Sequence, residues 1–368
     1  MADGASLFHQ HLLKGSQIMN LRSILLILVS MFTLSTTVSA TTLDDIRPHL
    51  PSSDKTWAEQ WFYNIAVPDV GYFKISLQSY IAPDFNQPTP KAYVHLAFTP
   101  LNGQTVKYDI FRDELILKGF DDAALFHYEI PGIVVANQDS LEVTYDDFHF
   151  SMRWDGEHAH YWRGLNPGQT PFGIIPELPG VGGKWFLYTV GTPVQYSFSD
   201  GNVSLFGTGY TQVDKGWYDK ESSAGMVYSM GLSDDLYYMF TGAKIGNSNI
   251  ELWAGRYISD NYDLIFYPAI GNLSVKREYD SCAGYLKVEM NKIKYKMVME
   301  AKSDLADFYP LEFPSVIIFG GEQKYMKSMK ADVTFSLYEF GQLEESIHMP
   351  QALLEFSGPF YCDDVTDK

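Results

Sequence analysis

The chain has 368 residues, of which 46% are hydrophobic, 15% aromatic and only 20% charged. Such a composition excludes a disordered or coiled-coil protein and suits two domains or one large β-domain. Its 45 acidic against 27 basic residues give a formal charge of −18, which argues against a nucleic-acid partner.

Residues 24–34 (ILLILVSMFTL) form an apolar run, preceded by Arg22 and followed by STTVSATT, in which Val38-Ser39-Ala40 fits a small-x-small cleavage site. The run is too short to span a bilayer, so a cleaved export signal is expected over residues 1–40. Met19 starts a compact signal by itself. The mature chain then begins near Thr41, is secreted or periplasmic, and has no transmembrane anchor after cleavage.

From Trp57 onward, short β-rich runs alternate with turn residues, among them 61–67, 72–81, 91–99, 105–111, 141–154 and 184–190. Residues 194–207 read as a hairpin turning at Asp200-Gly201, and further hairpins are expected across 233–235 and 259–261. Later runs at 285–301 and 331–340 also alternate; only 301–308 and 342–348 suit short helices. The expected fold class is all-β: two consecutive antiparallel barrels or sandwiches. The Gly/Pro-rich stretch 166–183 suggests a linker, giving domains at 41–190 and 191–368.

Dinucleotide, Walker, zincin, nucleophile-elbow and dithiol motifs do not occur. The sharpest local cluster is GTGYTQVDKGW, Gly207 to Trp217. A buried Asp214 is a candidate general acid, and Trp217 offers a π-face to a developing cation. The alternative is a surface ion pair of Asp214 with Lys215 beside a core Trp. In the 56–65 segment, alternation places Trp57, Glu59, Trp61 and Tyr63 on one strand face; they line a pocket or belong to the core. His158 and His160 have metal-like i, i+2 spacing, but no following acid completes a site, so no metal is expected. His95, His127, His149 and His348 are isolated and read as core or surface residues. Cys282 and Cys362 either form a disulfide in an oxidising compartment or stay separate buried thiols.

Three segments resemble the lipocalin-like family that includes carotenoid 1,2-hydratase (hydroxyneurosporene synthase) and AttH-type proteins, and more distantly tocopherol cyclases and Diels–Alderase-like proteins. Glu59-Gln60-Trp61-Phe62-Tyr63 is similar to the family's opening strand. Gly209-Tyr210 with Asp214-Lys215-Gly216-Trp217 is similar to its central signature, and Ala352 to Gly358 to its closing strand. Gly216 stands in place of the usual Asn, Tyr218 in place of a Gly, and Gln60 in place of a Trp.

The resemblance implies tandem lipocalin-like domains, a hydrophobic small-molecule ligand (isoprenoid, polyene or lipid-like) and no cofactor. It also implies acid-assisted hydration or cyclisation at a C=C bond. Asp214 and Glu59 are then the catalytic candidates, with Trp61, Tyr63, Tyr210 and Trp217 binding ligand. A non-catalytic lipid carrier and a carbohydrate-binding β-module are the other two readings, and the sequence leaves both the catalytic question and the oligomeric state open.

Overall fold

The computed structural model describes residues 46–49, 56–82, 87–154, 171–172, 183–219, 223–234, 236–245, 250–270, 275–311 and 324–365. The expected export signal, the His158/His160 pair and most of the 166–183 stretch lie outside the described residues. Among the described residues, no helix is long and apolar enough to cross a membrane.

The first sheet contains β1 (Trp57–Val67), β2 (Gly71–Ala82), β3 (Gln87–Pro100), β4 (Val106–Arg112), β5 (Ile116–Lys118) and β6 (His127–Ile130). It continues with β7 (Val134–Asn137), β8 (Ser140–Tyr145), β9 (Phe148–Trp154), β10 (Gly183–Ser199) and β11 (Ser204–Tyr218). The second contains β12 (Ser223–Leu232), β13 (Tyr237–Ile245), β14 (Glu251–Ile258), β15 (Asp263–Ile270) and β16 (Val275–Asp280). It ends with β17 (Tyr285–Lys292), β18 (Tyr295–Lys302), β19 (Tyr309–Leu311), β20 (Tyr325–Glu339) and β21 (Gln342–Ser357).

Both sheets are antiparallel meanders in which the last strand returns to pair with the first, β11 on β1 and β21 on β12. Each is left open at a single seam between consecutive strands, β4/β5 in the first and β15/β16 in the second. All three expected hairpins form, with Ser199 opposite Ser204, Leu232 opposite Tyr237 and Ile258 opposite Asp263. The sheets divide between Tyr218 and Ser223, beyond the 190/191 division, because β10 and β11 complete the first sheet rather than starting the second. Residues 342–348, read as helix-compatible, extend as strand in β21, where pairing with β20 supplies backbone partners for the whole segment.

Each sheet curls round its own core. Trp61 on β1 meets Tyr128 on β6 with ring centroids 5.7 Å apart, and the Tyr128 hydroxyl donates to the Gln78 carbonyl at 2.9 Å. In the second sheet Tyr257 on β14 stacks on Phe335 on β20 at 4.1 Å. A third apolar cluster joins residues of both sheets, including Tyr72, Leu187, Tyr228, Met230, Tyr237, Met239 and Leu353. Strands away from this junction keep the one-sided alternation of a half-solvated sheet, as in β9. Inside it, β1 is buried almost continuously, the mark of a strand covered on both faces.

Cys282, in the turn after β16, is bonded to Cys362 beyond β21, a sequence separation of 80. The bond ties the seam strand β16 to the chain's C-terminal segment. Because closing a long loop restricts the unfolded chain, the Cys282→Ser/Cys362→Ser double variant should lose about 2–4 kcal/mol of stability, measured by urea unfolding under non-reducing conditions.

Candidate functional site between the sheets

Pairing of β1 with β11 sets Glu59 opposite Trp217, Trp61 opposite Lys215, Phe62 opposite Asp214 and Asn64 opposite Gln212. Side chains alternate across the pair. Odd-numbered Glu59, Trp61, Tyr63, Lys215 and Trp217 therefore face the interior of the first sheet. Even-numbered Phe62, Asn64, Tyr210, Gln212 and Asp214 face the second. The acid and aromatics read together from the sequence are thus separated by the thickness of the sheet, so Trp61 and Trp217 do not flank Asp214.

The inner group is a closed electrostatic unit. Glu59 and Lys215 are both fully buried and form an ion pair at 2.8 Å. Glu59 also accepts from the His49 backbone N–H, and meets His49 Nδ1 at 2.7 Å. The His49 ring stacks on Trp217 at 4.1 Å, Lys215 donates to the Arg47 carbonyl, and the Trp61 indole donates to the Ile46 carbonyl at 2.8 Å. Residues 46–49 are thereby pinned across the inside of the first sheet. Tyr63 packs in the same core 6.3 Å from Trp154, and burial raises its phenol well above its ordinary range.

The outer faces carry a different chemistry. Asp214 (5% exposed) lies between the sheets with Oδ2 accepting from the Trp185 indole at 3.2 Å. Burial pushes its carboxyl up to about 6, against the pull of Lys74, the Trp185 hydrogen bond and Lys327, while Glu355 adds to the rise. Lys74 donates to Asn64 Oδ1 at 2.8 Å and sits 4.5 Å from the Phe62 ring centre. Burial and then Lys327 bring its amine down to about 7, opposed by Asp214 and Glu355. From the second sheet come Lys327 and Glu355, paired at 2.7 Å and nearly fully buried. Two acids and two bases thus share one buried layer.

Gln212 bridges the sheets. Its Nε2 donates to the Tyr228 hydroxyl at 2.6 Å, and its Oε1 accepts from Tyr237 at 2.8 Å. Burial holds the phenols of Tyr228, Tyr237 and Tyr72 well above their ordinary range, so they stay neutral. Tyr210 reaches across at its edge, donating to Asp234 at 2.6 Å. Tyr237 also lines a cleft of about 450 Å³ where Val190-Gly191 meets the β12–β13 and β14–β15 turns. Asp234, Asp260 and Asp263 border that cleft, and Asp263 is held by both Nε and an η-nitrogen of Arg256. An acidic rim of this kind admits neutral molecules more readily than anions.

Buried polar atoms normally find partners. Among the described residues, Asp214 Oδ1, Asn64 Nδ2, Ser76 Oγ, Gln78 Nε2 and Oε1, His95 Nε2 and the hydroxyls of Tyr72 and Tyr309 have none. These sit on the two faces that meet between the sheets; inside the first sheet the Tyr63 hydroxyl is also unpartnered among the described residues. The layer therefore offers donors and acceptors alongside Trp185, Phe62 and Tyr228 rings, with a carboxyl that exchanges its proton near neutral pH.

Lys74, Lys327, Glu355, Gln212, His95 and Asp109 were not singled out from the sequence as site residues. The available signal was a charge inside an otherwise apolar strand run, as in YFKISL or ALLEFSG, since Lys and Glu are seldom fully buried without a role or a partner. The Gly216 departure has a local cause: a Cβ there would lie 2.3 Å from the Tyr218 hydroxyl, so the large residue at 218 and the small one at 216 fit together. Among the described residues, the one close group of potential metal ligands is Cys282, Cys362 and Asp364, and its sulfurs are engaged in the disulfide.

No protein-family model matches the chain, and no curated protein matches its sequence. Several solved structures share its fold. An AttH-type protein of Nitrosomonas europaea has 14% identity and a TM-score of 0.53 over 86% of this chain and 96% of its own. CghA, solved with Sch210972, has 12% identity and a TM-score of 0.55 over 85% and 93%. Kievitone hydratase of Nectria haematococca has 12% identity and a TM-score of 0.50 over 88% and 94%. The chain thus has the all-β, lipocalin-like fold expected from its sequence landmarks, and shares it with these solved structures.

The two carboxylates should respond oppositely to neutralisation. Glu59→Gln leaves Lys215 buried without its charge partner and should cost about 3 kcal/mol or more. Between pH 3.8 and about 6, folded Asp214 keeps a proton that the unfolded chain has lost, so the carboxyl lowers stability as pH rises through that window, and the loss is complete above it. Asp214→Asn should therefore gain on the parent chain from pH 4 to pH 7, by on the order of 3 kcal/mol, read by urea unfolding at both pH values.

Proposed function

We propose that the protein binds a hydrophobic, alkene-bearing small molecule between its two sheets and catalyses acid-assisted hydration or ring closure at a C=C bond. The observation that carries this reading is the Asp214 carboxyl: buried, pushed up to about 6, with Oδ1 unpartnered among the described residues and aromatic rings around it. A general acid works best when its pKa lies near the working pH. In the proposed step the Asp214 proton passes to one alkene carbon, forming a C–H bond and leaving a cation on the other carbon. Trp185, whose indole N–H reaches Asp214, and Tyr228, edge-on to that indole at 6.2 Å, supply the electron-rich rings beside that cation. Water, or a nucleophile within the substrate, then forms the second bond. The proton released returns to the Asp214 carboxylate, directly or through the Lys74 amine, so no oxidant or reductant is consumed.

The similar structures support the class of chemistry, since one of them is a hydratase by name. The apolar run at 24–34 with Val38-Ser39-Ala40 supports a site of action outside the cytoplasm. Stacking of sugars on exposed tryptophans is less favoured, because Trp61, Trp154 and Trp253 are buried and Trp57, Trp185 and Trp217 half-buried.

Turnover of isoprenoid alkenes in D2O tests the reading. The parent chain should yield products carrying one carbon-bound deuterium, and Asp214→Asn should be slower by about 100-fold or more. Since the protonated acid is the active form, kcat/KM should fall about tenfold per pH unit above the Asp214 titration. Undiminished turnover by Asp214→Asn would remove Asp214 from the chemistry, and tight binding without turnover by the parent would make the protein a carrier.

A further inference from the structure

Asp214 is not alone on its face of the first sheet. His95 pairs with Ser76, Ser76 with Phe62, and Phe62 with Asp214, so one cross-strand row runs from β3 to β11 with His95 and Asp214 at its ends. Asp109 on β4 lies opposite His95 and extends the row. Directly opposed residues share a face, and strands are spaced roughly 4.8 Å apart, so the two ends are about 14 Å apart along the sheet. That is too far for both groups to act on one double bond, and well matched to two ends of one elongated molecule.

The His95 end is built for recognition of a hydroxyl. Its Nδ1 meets Asp109 Oδ1 at 2.9 Å, and Asp109 also accepts from the Tyr93 hydroxyl at 2.5 Å. Burial raises the Asp109 carboxyl, but the His95 contact, with the Tyr93 hydroxyl and Lys107, outweighs it and holds Asp109 below its usual range. A carboxylate only accepts, so Nδ1 carries the ring hydrogen and Nε2 presents a bare lone pair. Burial keeps the ring neutral, aided by Lys327 and Lys74 and opposed by Asp109. Nε2 is buried and has no partner among the described residues, as is true of Ser76 Oγ beside it. Tyr309 of the second sheet covers the ring, stacked at 5.9 Å, with its own hydroxyl likewise unpartnered. At the opposite end, Phe62 and Leu187 flank Asp214 on the neighbouring strands and the Trp185 indole donates to it, within the layer that also holds Lys74, Lys327 and Glu355.

We infer that His95 anchors a substrate hydroxyl through Nε2, so that the substrate class is an elongated alkenol with its hydroxyl at His95 and its double bond at Asp214. The inference rests on the inter-sheet binding proposed above. Asp109 acts through His95 as a positioning residue that fixes the ring tautomer. A site whose buried acceptor must be satisfied discriminates strongly against an analogue lacking the donor.

Farnesol and farnesyl methyl ether are suitable probes, because the hydroxyl and far double bond of farnesol span a comparable distance when extended. Binding to the full chain, followed by tryptophan fluorescence and calorimetry, should favour farnesol by about tenfold or more. In His95→Leu that preference should collapse towards one, with the ether still bound. Asp109→Asn, at a partly exposed position, should retain the fold by circular dichroism while weakening the preference, since an amide no longer enforces one tautomer. Equal affinity of the parent chain for both probes, or an unchanged preference in His95→Leu, overturns the anchor while leaving Asp214 chemistry standing. Binding of neither probe overturns the inter-sheet reading and the anchor together.

Discussion

Two strands, β1 and β11, serve two interiors at once, and the rest of the molecule depends on that arrangement. A strand's side chains alternate between its faces. A strand covered on both sides must therefore divide its sequence between two environments, residue by residue. Here the inner set closes the first sheet over Glu59, Lys215, Trp61 and the pinned residues 46–49. The outer set, Phe62, Asn64, Gln212 and Asp214, meets the second sheet. Adjacent Asp214 and Lys215 consequently belong to different chemical systems, although both are buried.

The two systems differ in how their charges are satisfied. Both oxygens of Glu59 are engaged, by a lysine, a histidine ring and a backbone N–H, which is what a structural ion pair in a buried core requires. Between the sheets, two acids and two bases are balanced in number, yet Asp214 keeps one oxygen unpartnered among the described residues and Lys74 is brought down towards neutrality. Buried ion clusters are rarely the most stable filling for an interface, and perturbed groups gather where chemistry is done. Gln212, spanning Tyr228 and Tyr237, couples that chemistry to the docking of the two sheets.

Much of the fold was legible in the sequence. Alternating apolar runs, Asp200-Gly201 and the acidic turns at 233–235 and 259–261 marked strands and hairpins that the structure contains, because these signals are local. The division between sheets was not legible. It depends on β11 returning to β1, a pairing across some 150 residues that no local pattern encodes. Asp214 stood out because glycines and a tryptophan flank it, and the 207–217 segment does hold a buried acid. Its companions could not be assembled, since Lys74, Lys327 and Glu355 come from three distant strands and meet only through sheet docking. His95 looked isolated for the same reason: Asp109, its partner, is 14 residues away and adjacent only through the β3–β4 register.

The central claim is that sheet docking turns one ordinary aspartate into an acid that is half protonated close to neutral pH. The direct measurement is the carbon-13 NMR titration of the Asp214 side-chain carboxyl in the full chain, assigned by its disappearance in Asp214→Asn. A midpoint near 6, moving when an alkenol binds, is the expected result. A midpoint at or below the ordinary 3.8, unmoved by ligand, would place Asp214 among the solvated or fully paired carboxylates and contradict the account.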